Sequence, residues 1–491
     1  MNNDQNVNLG RAFQRVAEDY PRFPAIISEH SHLTYEQLFS LVVAFARQMQ
    51  AHGVGRGSLV ALNTGDTIAS LSTLLATALL GSRFVVASMV LAKQKAVAPT
   101  HFFKTPEARG KAGVPFVEIN ESWMPTAPSD PAAAYDEFEG YESPDHPWIY
   151  LNTSGTTGNP KTLSLSQAAV FRRTMAVASD FPLARATMAS LFANTSRPFY
   201  ARALGALLHG GTIVDSQDTA VWQKAGVNLV FGSPRQLEQF LNTTTISPPI
   251  TRVEVSGAKL TDELALTLAG SFSHITDVYG ASETSKSFSS IVSITPDGSI
   301  ARLGKALDST IEILDQDGKL CAPGIPGAVR VRNDYMAPGY LNSPKATAKS
   351  FQNGWFYPGD IACWGPSGEL QVIGRSDDVL SFGGLKLDAA LIDLIIKVTP
   401  GVEDAICFKN PKNGASNEIV AFVVFEKLTD QSQCVEAIRA NYRRQLNLPC
   451  FLGKIHPIDK IPRNDDGKPM RALCQEMVLA RVEGMREAFA P

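Results

Sequence analysis

Apolar and polar positions alternate along the first half of the chain in a helix–strand order. Thr34 and Gln37 form the pattern of a helix-capping box, and apolar residues then recur at helical spacing until Gly53. The apolar run 59–62 has the length of a buried strand. The alternation returns later, with predicted strands at Val227–Phe231, Val253–Val255 and His274–Val278 and predicted helices at Pro234–Leu241 and Asp262–Leu268. This order predicts an α/β fold in which helices cover parallel-rich sheets.

The pattern changes twice in the second half of the chain. Beyond Ser287, short alternating runs separated by turn signals predict a small antiparallel β unit, with strands at Ser289–Ile294, Thr310–Leu314, Ala328–Arg332 and Glu369–Ile373. After Ser376, helix-like and strand-like segments mix over a length that suits an independent domain. We therefore predict a large N-terminal body, residues 1–376, and a smaller α+β domain, residues 377–491.

Composition narrows the class of protein. Of the 491 residues, 44% are hydrophobic, and the formal net charge of −3 provides no basic surface for nucleic acid. The six cysteines include no C-x-x-C pair, which argues against a zinc cluster and favours a reducing, cytoplasmic environment. The apolar stretch 68–92 is interrupted by Arg83 and several hydroxyl residues, so we predict a buried helix and strand there and no membrane span.

A loop of glycines and hydroxyl residues follows the apolar run that begins at Trp148. Glycine lets the backbone approach an anion closely, and successive N–H groups in such a turn form a concave anion site. The residues predicted to cradle a polyphosphate are Thr153, Ser154, Gly155, Thr156, Thr157 and Gly158, with Lys161 as a nearby positive charge. The loop departs from a Walker A loop, because Pro160 stands where glycine should precede the lysine and has no N–H to donate.

Five segments, in this order, resemble the motifs of the adenylate-forming superfamily of acyl- and aryl-CoA synthetases, peptide-synthetase adenylation domains and beetle luciferases. They are Thr153–Lys161, Tyr279–Glu283, Tyr357–Asp360, Gly374–Asp378 and Pro462–Lys468. They are similar to T-S-G-[ST]-T-G-x-P-K, Y-G-x-T-E, T-G-D, G-R-x-D and P-R-x-x-x-G-K, respectively. The chain departs from these patterns at three positions, with Ser282 and Pro358 each replacing threonine and Thr162 replacing glycine.

The resemblance implies an ATP site that includes Mg²⁺. Glu283 would hold Mg²⁺, a hard cation suited to one carboxylate plus phosphate oxygens, and Ser282 would donate to the α-phosphate. Tyr279 would stack on adenine, with Gly280 beside it. Asp360 would accept both ribose hydroxyls, and Arg375 would reach the ribose or a phosphate.

The resemblance also implies a catalytic lysine and a hinge. Lys468 would bridge the attacking carboxylate and the α-phosphate, where charge develops in the transition state. Asp377 coincides with the hinge between the two domains, so the C-terminal domain is expected to be mobile. After rotation, the loop Phe382–Gly384 would face the acyl-adenylate while a thiol enters. The superfamily usually has a pair of acidic residues downstream of this loop. The corresponding segment here is Leu387-Asp388-Ala389-Ala390, which contains a single acidic residue.

The acid should lie in a pocket formed by three segments. Phe199 and Tyr200 are expected to flank its carboxylate, and the remaining lining residues are expected to be Gly257, Ala258 and Ala281. No acidic residue follows Phe199, which makes an α-amino acid a poor substrate. We expect Arg197 and Arg202 to lie at the surface; the alternative is that they bind the second carboxylate of a dicarboxylic acid.

The activity implied is that of an ATP-dependent acid–thiol ligase. Such an enzyme adenylates a small carboxylic acid, here an aryl or fatty acid, and releases pyrophosphate. It then passes the acyl group to CoA or to the phosphopantetheine of an acyl or peptidyl carrier protein. Two alternatives stay open, namely an enzyme that stops at the acyl-adenylate and a non-catalytic nucleotide-binding homologue.

Overall fold

The computed structural model describes residues 7–29, 31–86, 97–111, 113–125, 137–138, 146–153, 161–178, 185–315, 317–376, 379–382, 385–410, 418–445, 451–463 and 469–488. The strands, in chain order, are β1 (Pro24–Ser28), β2 (His32–Thr34), β3 (Leu59–Asn63), β4 (Arg83–Val86), β5 (His101–Lys104), β6 (Phe116–Glu118), β7 (Pro147–Thr153), β8 (Lys161–Ser166), β9 (Thr187–Ser190), β10 (Thr212–Asp215), β11 (Leu229–Gly232), β12 (Ile250–Ser256), β13 (Phe272–Ala281), β14 (Ser285–Ile294), β15 (Ile300–Ala306), β16 (Thr310–Leu314), β17 (Gly327–Arg332), β18 (Phe351–Gln352), β19 (Trp355–Phe356), β20 (Asp360–Trp364), β21 (Leu370–Arg375), β22 (Val379–Phe382), β23 (Leu385–Asp388), β24 (Val402–Lys409), β25 (Glu418–Phe425) and β26 (Phe451–Pro457). The helices are α1 (Leu9–Asp19), α2 (Tyr35–Ala51), α3 (Thr67–Leu79), α4 (Gln167–Ala178), α5 (Arg197–Leu208), α6 (Thr219–Ala225), α7 (Pro234–Thr243), α8 (Asp262–Ala269), α9 (Pro344–Ser350), α10 (Ala389–Lys397), α11 (Gln431–Gln445) and α12 (Arg471–Ala488), with a 3₁₀ turn at Glu121–Trp123.

Two large, mostly parallel sheets form the N-terminal body. Within the described ranges, the first has the strand order β15-β14-β13-β12-β11-β9-β10-β1-β2 and the second the order β6-β5-β3-β4-β7-β8. All pairs from β1 through β10, β9, β11 and β12 to β13 are parallel, whereas β2, β14 and β15 are antiparallel to their neighbours. The predicted α/β class with parallel-rich sheets is confirmed.

The main hydrophobic core lies between these two sheets. One buried cluster contains Val60 and Phe84 from the second sheet, Ile213 and Phe231 from the first, and apolar residues of α2 and α3. The start of α2 follows the predicted capping box, because the Thr34 hydroxyl accepts from the Gln37 backbone N–H while the Gln37 side chain accepts from the Thr34 N–H. Helix α3 is buried on nearly all sides, which explains why it contains no charged residue.

None of the described helices is both long and apolar enough to span a lipid bilayer. The stretch beginning at Ile68 instead forms α3 and the buried strand β4, as its pattern predicts.

The predicted antiparallel β unit is real but begins later than expected. Strand β14 turns back directly from β13, with Phe288 opposite Tyr279, and β15 pairs with β14, so both extend the first large sheet. The separate antiparallel unit contains β16 to β21. The alternating pattern of Ser289–Ile294 correctly predicted a strand, but we assigned that strand to the wrong sheet. Alternation predicts that a segment is a strand and not which strand it pairs with.

The C-terminal part is a small α+β unit. Strands β24, β25 and β26 form one sheet, and α10, α11 and α12 accompany it in the chain. Two apolar clusters, built around Ile438 and Phe422, contain described residues from Leu380 onward and none from the N-terminal body. The boundary between residues 376 and 377 remains a prediction, because Asp377 lies outside the described residues.

Candidate active site

The predicted phosphate loop joins the two strands of a hairpin. Strands β7 and β8 are antiparallel, and Thr153 lies opposite Lys161, so residues 154–160 connect the strand ends. The cradle residues Ser154, Gly155, Thr156, Thr157 and Gly158 lie outside the described residues, as does Lys468. The Thr162 hydroxyl donates to Asn152 Oδ1 at 3.0 Å across the hairpin. The threonine that replaces the usual glycine here therefore has a hydrogen-bond partner within the hairpin.

Tyr340 connects the phosphate-loop lysine to the predicted magnesium ligand. The Lys161 Nζ atom lies 4.5 Å from the centroid of the Tyr340 ring, and the Tyr340 hydroxyl donates to Glu283 Oε1 at 2.7 Å. Burial and the Glu283 carboxylate raise the pKa of Tyr340, so the phenol stays protonated and acts as a donor. The backbone N–H of Leu341 also donates to Thr162 O at 2.7 Å. The sequence analysis missed Tyr340, whose only signal was an aromatic residue after Pro-Gly.

The loop that carries Ser282 and Glu283 is the tight connection between β13 and β14. A bulge follows Tyr279, and a Cβ atom at Gly280 would come within 2.2 Å of the Ser285 carbonyl oxygen. Glycine is therefore required for the close approach of the two strands. The Glu283 side chain is buried, which holds its carboxylate in place at the sheet edge.

Arg173, on α4, anchors the loop that carries Ser282 and Glu283. Its guanidinium donates to the backbone carbonyls of Ser282 (3.0 Å), Glu283 (2.7 Å) and Tyr335 (2.8 Å). Burial, and secondarily the positive charge of Arg197, lowers the pKa of Arg173 to about 9. Sequence reasoning could not find this residue, because its partners lie more than a hundred positions away.

The predicted adenosine-binding residues form a second polar cluster. The Tyr279 hydroxyl donates to Asp360 Oδ2 at 2.6 Å, and Arg375 Nη1 donates to Asp360 Oδ1 at 2.9 Å. Asp360 and Arg375 face each other on the paired strands β20 and β21. The carboxylate retains acceptor sites for two ribose hydroxyls. Gly359, with φ of +80°, follows Pro358, and Pro-Gly is the pair favoured at the centre of a type II turn.

A cavity of about 130 Å³, hereafter the central cavity, lies next to these clusters. Its apolar wall includes Leu151, Val170, Phe231 and Val278. Tyr200 also lines it, with its hydroxyl 2.8 Å from Ser70 Oγ. Four cationic side chains complete the lining, namely Arg173, Arg197, Arg202 and Lys286.

The predicted pocket residues are divided between the central cavity and its surroundings. Gly257 and Tyr200 line it, and so does Gly280, which was predicted to lie beside adenine. Phe199 lies instead in the core and in a neighbouring depression, and Ala258 and Ala281 are not among the described lining residues.

The expected surface role of Arg202 was wrong. Its side chain is only 7% exposed and pairs with Glu254 at 2.6 Å, and it also donates to Ser256 Oγ at 2.8 Å. Lys286 contacts the other oxygen of Glu254 at 2.5 Å. Burial lowers the pKa of Lys286 to about 8, against the opposing charge of Glu254. The Glu254 carboxylate pairs with both cations, and this pairing offsets the cost of burying their charges.

The donor set fits a single magnesium ion carried with nucleotide phosphates. The described residues contain no group of three or more His, Cys, Asp or Glu side chains that could hold a metal. Among the described residues, Glu283 offers a carboxylate that shares the Tyr340 contact with Lys161, and Mg²⁺ is typically bound by one or two carboxylates plus phosphate oxygens and water.

Comparison with known proteins agrees with this arrangement. The sequence pattern of the AMP-binding enzyme family matches residues 13–341. The chain is 24% identical to 3-hydroxybenzoate–CoA ligase from Aromatoleum sp. (strain CIB), over 93% of this chain and 94% of the relative. It is 22% identical to surfactin synthase subunit 1 from Bacillus subtilis (strain 168), over 98% of this chain but only 14% of that much longer protein.

A solved structure has the same fold. O-succinylbenzoate coenzyme A synthetase (MenE) from Bacillus subtilis, in complex with the acyl-adenylate intermediate, superimposes with a TM-score of 0.80 at 20% identity, covering 96% of this chain and 98% of that one. The same enzyme has also been solved with ATP and a magnesium ion. The family match spans well over half of the chain and accords with the resemblance of its motifs. The chain therefore belongs to the AMP-binding enzyme family, within the adenylate-forming superfamily.

Proposed function

We propose that this protein is an ATP-dependent acid–thiol ligase. The observation that carries the proposal is the contact series Lys161–Tyr340–Glu283, which joins the end of the phosphate loop to a buried carboxylate beside the central cavity. Such an arrangement suits a triphosphate with its metal ion next to an acid. The curated relatives that are CoA ligases support the same reaction class.

In the proposed first step, a carboxylate oxygen of the acid attacks the α-phosphorus of ATP. A new P–O bond forms, the bond to the bridging oxygen of pyrophosphate breaks, and pyrophosphate leaves with its electron pair. Ser282 and Lys468 donate to the α-phosphate, and Lys468 also contacts the carboxylate. Both reactants are anions, so positioning and positive charge provide most of the catalysis.

The remaining residues hold the nucleotide. Tyr279 and Gly280 contact adenine, Asp360 accepts from the ribose hydroxyls, and Arg375 keeps Asp360 oriented through the observed ion pair. Thr153–Gly158 and Lys161 bind the phosphates. Glu283 would hold Mg²⁺, which would supply positive charge to the phosphate oxygens.

In the proposed second step, a thiol displaces AMP from the acyl group. The thiolate sulfur attacks the acyl carbon, the C–O bond to AMP breaks, and the thiol proton passes to solvent. Rotation about Asp377 would bring the Phe382–Gly384 loop to the site, with CoA or a carrier-protein phosphopantetheine as acceptor. The division into domains 1–376 and 377–491 is part of this proposal, as is a cytoplasmic location, which accords with the free thiols of the described cysteines.

Acid-dependent exchange of labelled pyrophosphate into ATP tests the first step. The wild-type protein should catalyse exchange with at least one member of a panel of aryl, aliphatic and dicarboxylic acids. Lys468→Ala should lower the exchange rate by about 10²–10³ while ATP still binds, because the lost contact belongs to the transition state. Exchange with no acid on the panel, together with intact ATP binding, would favour the non-catalytic alternative.

Thioester formation separates the ligase from an enzyme that stops at the adenylate. Once an acid supports exchange, CoA and a phosphopantetheinylated carrier protein are each added and the products are identified by mass spectrometry. Acyl-CoA or acyl-carrier product supports the ligase, whereas an acyl-adenylate that persists with both acceptors overturns the thiol step.

A further inference from the structure

The central cavity carries more positive charge than its own acidic residues neutralise. Arg173, Arg197, Arg202 and Lys286 line it. Against these four cations, two carboxylates act on the cluster, Glu254 through direct ion pairs and Glu283 through its charge. Two positive charges are therefore left over, and a buried excess charge is costly unless a partner compensates it.

Three of the four cations already have protein partners. Arg173 donates to three backbone carbonyls, and Arg202 and Lys286 share Glu254. Arg202 also stacks on Phe192 and Phe231, at 5.1 and 5.0 Å from the ring centroids. These side chains are fixed by their contacts, so they shape the cavity and its electrostatic potential.

Arg197 differs from the other three. In the part of the chain that the structure describes, its guanidinium makes no hydrogen bond and no ion pair, although it lines the cavity at the first turn of α5. Burial and the charge of Arg202 lower the pKa of Arg197 to about 10, so it is still a cation at neutral pH. In the same cluster, the Nε atom of Arg202 is buried without a hydrogen-bond partner among the described residues.

We propose that the acid activated by this protein carries a second anionic group, as in a dicarboxylic acid, and that Arg197 binds this second carboxylate. The inference rests on the proposed adenylation function and names the class of its substrate. A planar guanidinium matches a carboxylate through two parallel hydrogen bonds, which makes arginine the residue suited to this recognition.

The reacting carboxylate is a poorer partner for Arg197 than the second one. Adenylation converts the reacting carboxylate into the uncharged acyl part of a mixed anhydride whose remaining negative charge lies on the phosphate, so an arginine dedicated to that carboxylate would stabilise the ground state more than the product. The second carboxylate keeps its charge through adenylation and thiol transfer. Glu254 is fully buried and occupied by Arg202 and Lys286, and the described residues that line the cavity include no free carboxylate for the ammonium group of an amino acid.

The size of the cavity limits the body of this acid. The cavity measures about 130 Å³, below the ~300–1,000 Å³ of typical ligand pockets, so it suits a compact acid better than a long chain. The apolar wall then contacts a short aliphatic or single-ring spacer between the two carboxylates. Short dicarboxylic acids are therefore the expected substrates, and long-chain monocarboxylic acids the least suitable.

Matched pairs of acids test the proposal on the full-length wild-type protein. Succinic acid is compared with butanoic acid, and phthalic and isophthalic acids with benzoic acid, in pyrophosphate exchange with ATP and Mg²⁺. In the productive pair, kcat/KM should be at least about 100-fold higher for the diacid, because a site built for a polar group discriminates strongly against analogues that lack it. Equal or better exchange with the monoacids overturns the proposal but leaves adenylation in place.

Variants at Arg197 assign the effect to its guanidinium. Arg197→Met should lower the diacid-to-monoacid ratio of kcat/KM at least about tenfold. Arg197→Lys keeps the positive charge but lacks the two parallel N–H donors of the guanidinium, so it should give an intermediate ratio. Arg172→Met, at a partly buried arginine of α4 that does not line the cavity, serves as the control and should keep the wild-type ratio.

Two other outcomes are distinguishable from these. An equal loss of exchange with diacid and monoacid in Arg197→Met would place Arg197 on the reacting carboxylate and overturn the proposal. Absence of exchange with every acid would instead contradict the adenylation function itself. If Arg197→Met does not fold, the wild-type comparison of matched acids still decides the substrate class.

Discussion

At the scale of single residues, the hydroxyl of Tyr340 is the contact that most directly links the phosphate loop to Glu283. Tyr340→Phe removes the 2.7 Å bond to Glu283 but keeps the ring under Lys161. We expect the exchange rate to fall about 10–100-fold, the usual cost of removing a partner that orients a metal ligand. The measurement is pyrophosphate exchange at several Mg²⁺ concentrations, where a raised Mg²⁺ requirement identifies the cause.

A second tyrosine provides the control for this variant. The Tyr335 hydroxyl donates to the backbone carbonyl of Asp308 at 3.0 Å. Tyr335→Phe should therefore keep the wild-type requirement for Mg²⁺. If both variants changed it equally, the effect would belong to general packing and not to the orientation of Glu283.

Glu254 is predicted to be more costly to remove than an acidic group in an exposed ion pair. Glu254→Gln leaves Arg202 and Lys286 buried without a counter-ion, so the free energy of unfolding should fall by about 3–5 kcal/mol. Glu312→Gln breaks a more exposed pair with Arg330 and should cost about 0–1 kcal/mol. Denaturant unfolding compares the two, and similar losses would contradict the assignment.

The same carboxylate predicts a pH dependence of stability. Burial acts to raise the pKa of Glu254, but Lys286 and Arg202 outweigh burial and lower it below its usual value. Because the folded pKa is depressed, this contribution to stability is present above the unfolded value, about 4.3 on reference scales, and is lost as pH falls through the folded pKa. Wild-type stability should decline in that acid range, and the decline should be smaller in Glu254→Gln.

The identities of the charged residues were readable from the sequence, but their partners were not. Glu283 and Asp360 were recognised by their motifs, whereas Arg202 was expected at the surface because arginine is mostly exposed. Its ion pair with Glu254 joins positions 52 residues apart, and neither residue lies in a motif. Pairing across such distances depends on sheet order, which local patterns do not encode.

At the scale of elements, α4 positions the Ser282–Glu283 loop through Arg173. Arg173→Lys keeps the positive charge but cannot bond three carbonyls at once, so the Ser282–Glu283 loop should shift or loosen. A displacement of about 1 Å in a catalytic group can cost roughly 10² in rate, and we expect a loss of that order in exchange. Hydrogen exchange of the peptide covering residues 281–287 should become faster.

The neighbouring arginine of the same helix provides the comparison for Arg173. Arg172→Lys changes a partly buried side chain outside the loop contacts and should keep wild-type exchange and protection. Unchanged protection of the loop in Arg173→Lys would contradict the anchoring role.

Element types followed from the sequence better than element partners did. The capped helix α2 and the buried helix α3 agree closely with their patterns, because capping and apolar periodicity are local signals. Strand β14 was assigned to the wrong sheet, since its short connection to β13 and the bulge at Gly280 decide its pairing. The Tyr340 contact depends on a loop after β17, where the only local signal was an aromatic residue after Pro-Gly.

At the scale of the whole molecule, the described hydrophobic clusters divide near residue 376. Clusters of the N-terminal body include described residues up to Leu370, and those of the C-terminal unit begin at Leu380. Limited proteolysis should therefore cut the native chain first between these residues and release fragments close to 1–376 and 377–491. Initial cleavage inside either core, for example within β12 or β25, would contradict this domain boundary.

The central claim is that motifs distant in the sequence form one nucleotide site. A crystal structure of the protein with ATP and Mg²⁺ tests it most directly. The account predicts adenine against Tyr279, the ribose hydroxyls on Asp360, and the phosphates between Lys161 and Glu283. A nucleotide bound elsewhere, with Glu283 and Asp360 out of contact, would contradict it.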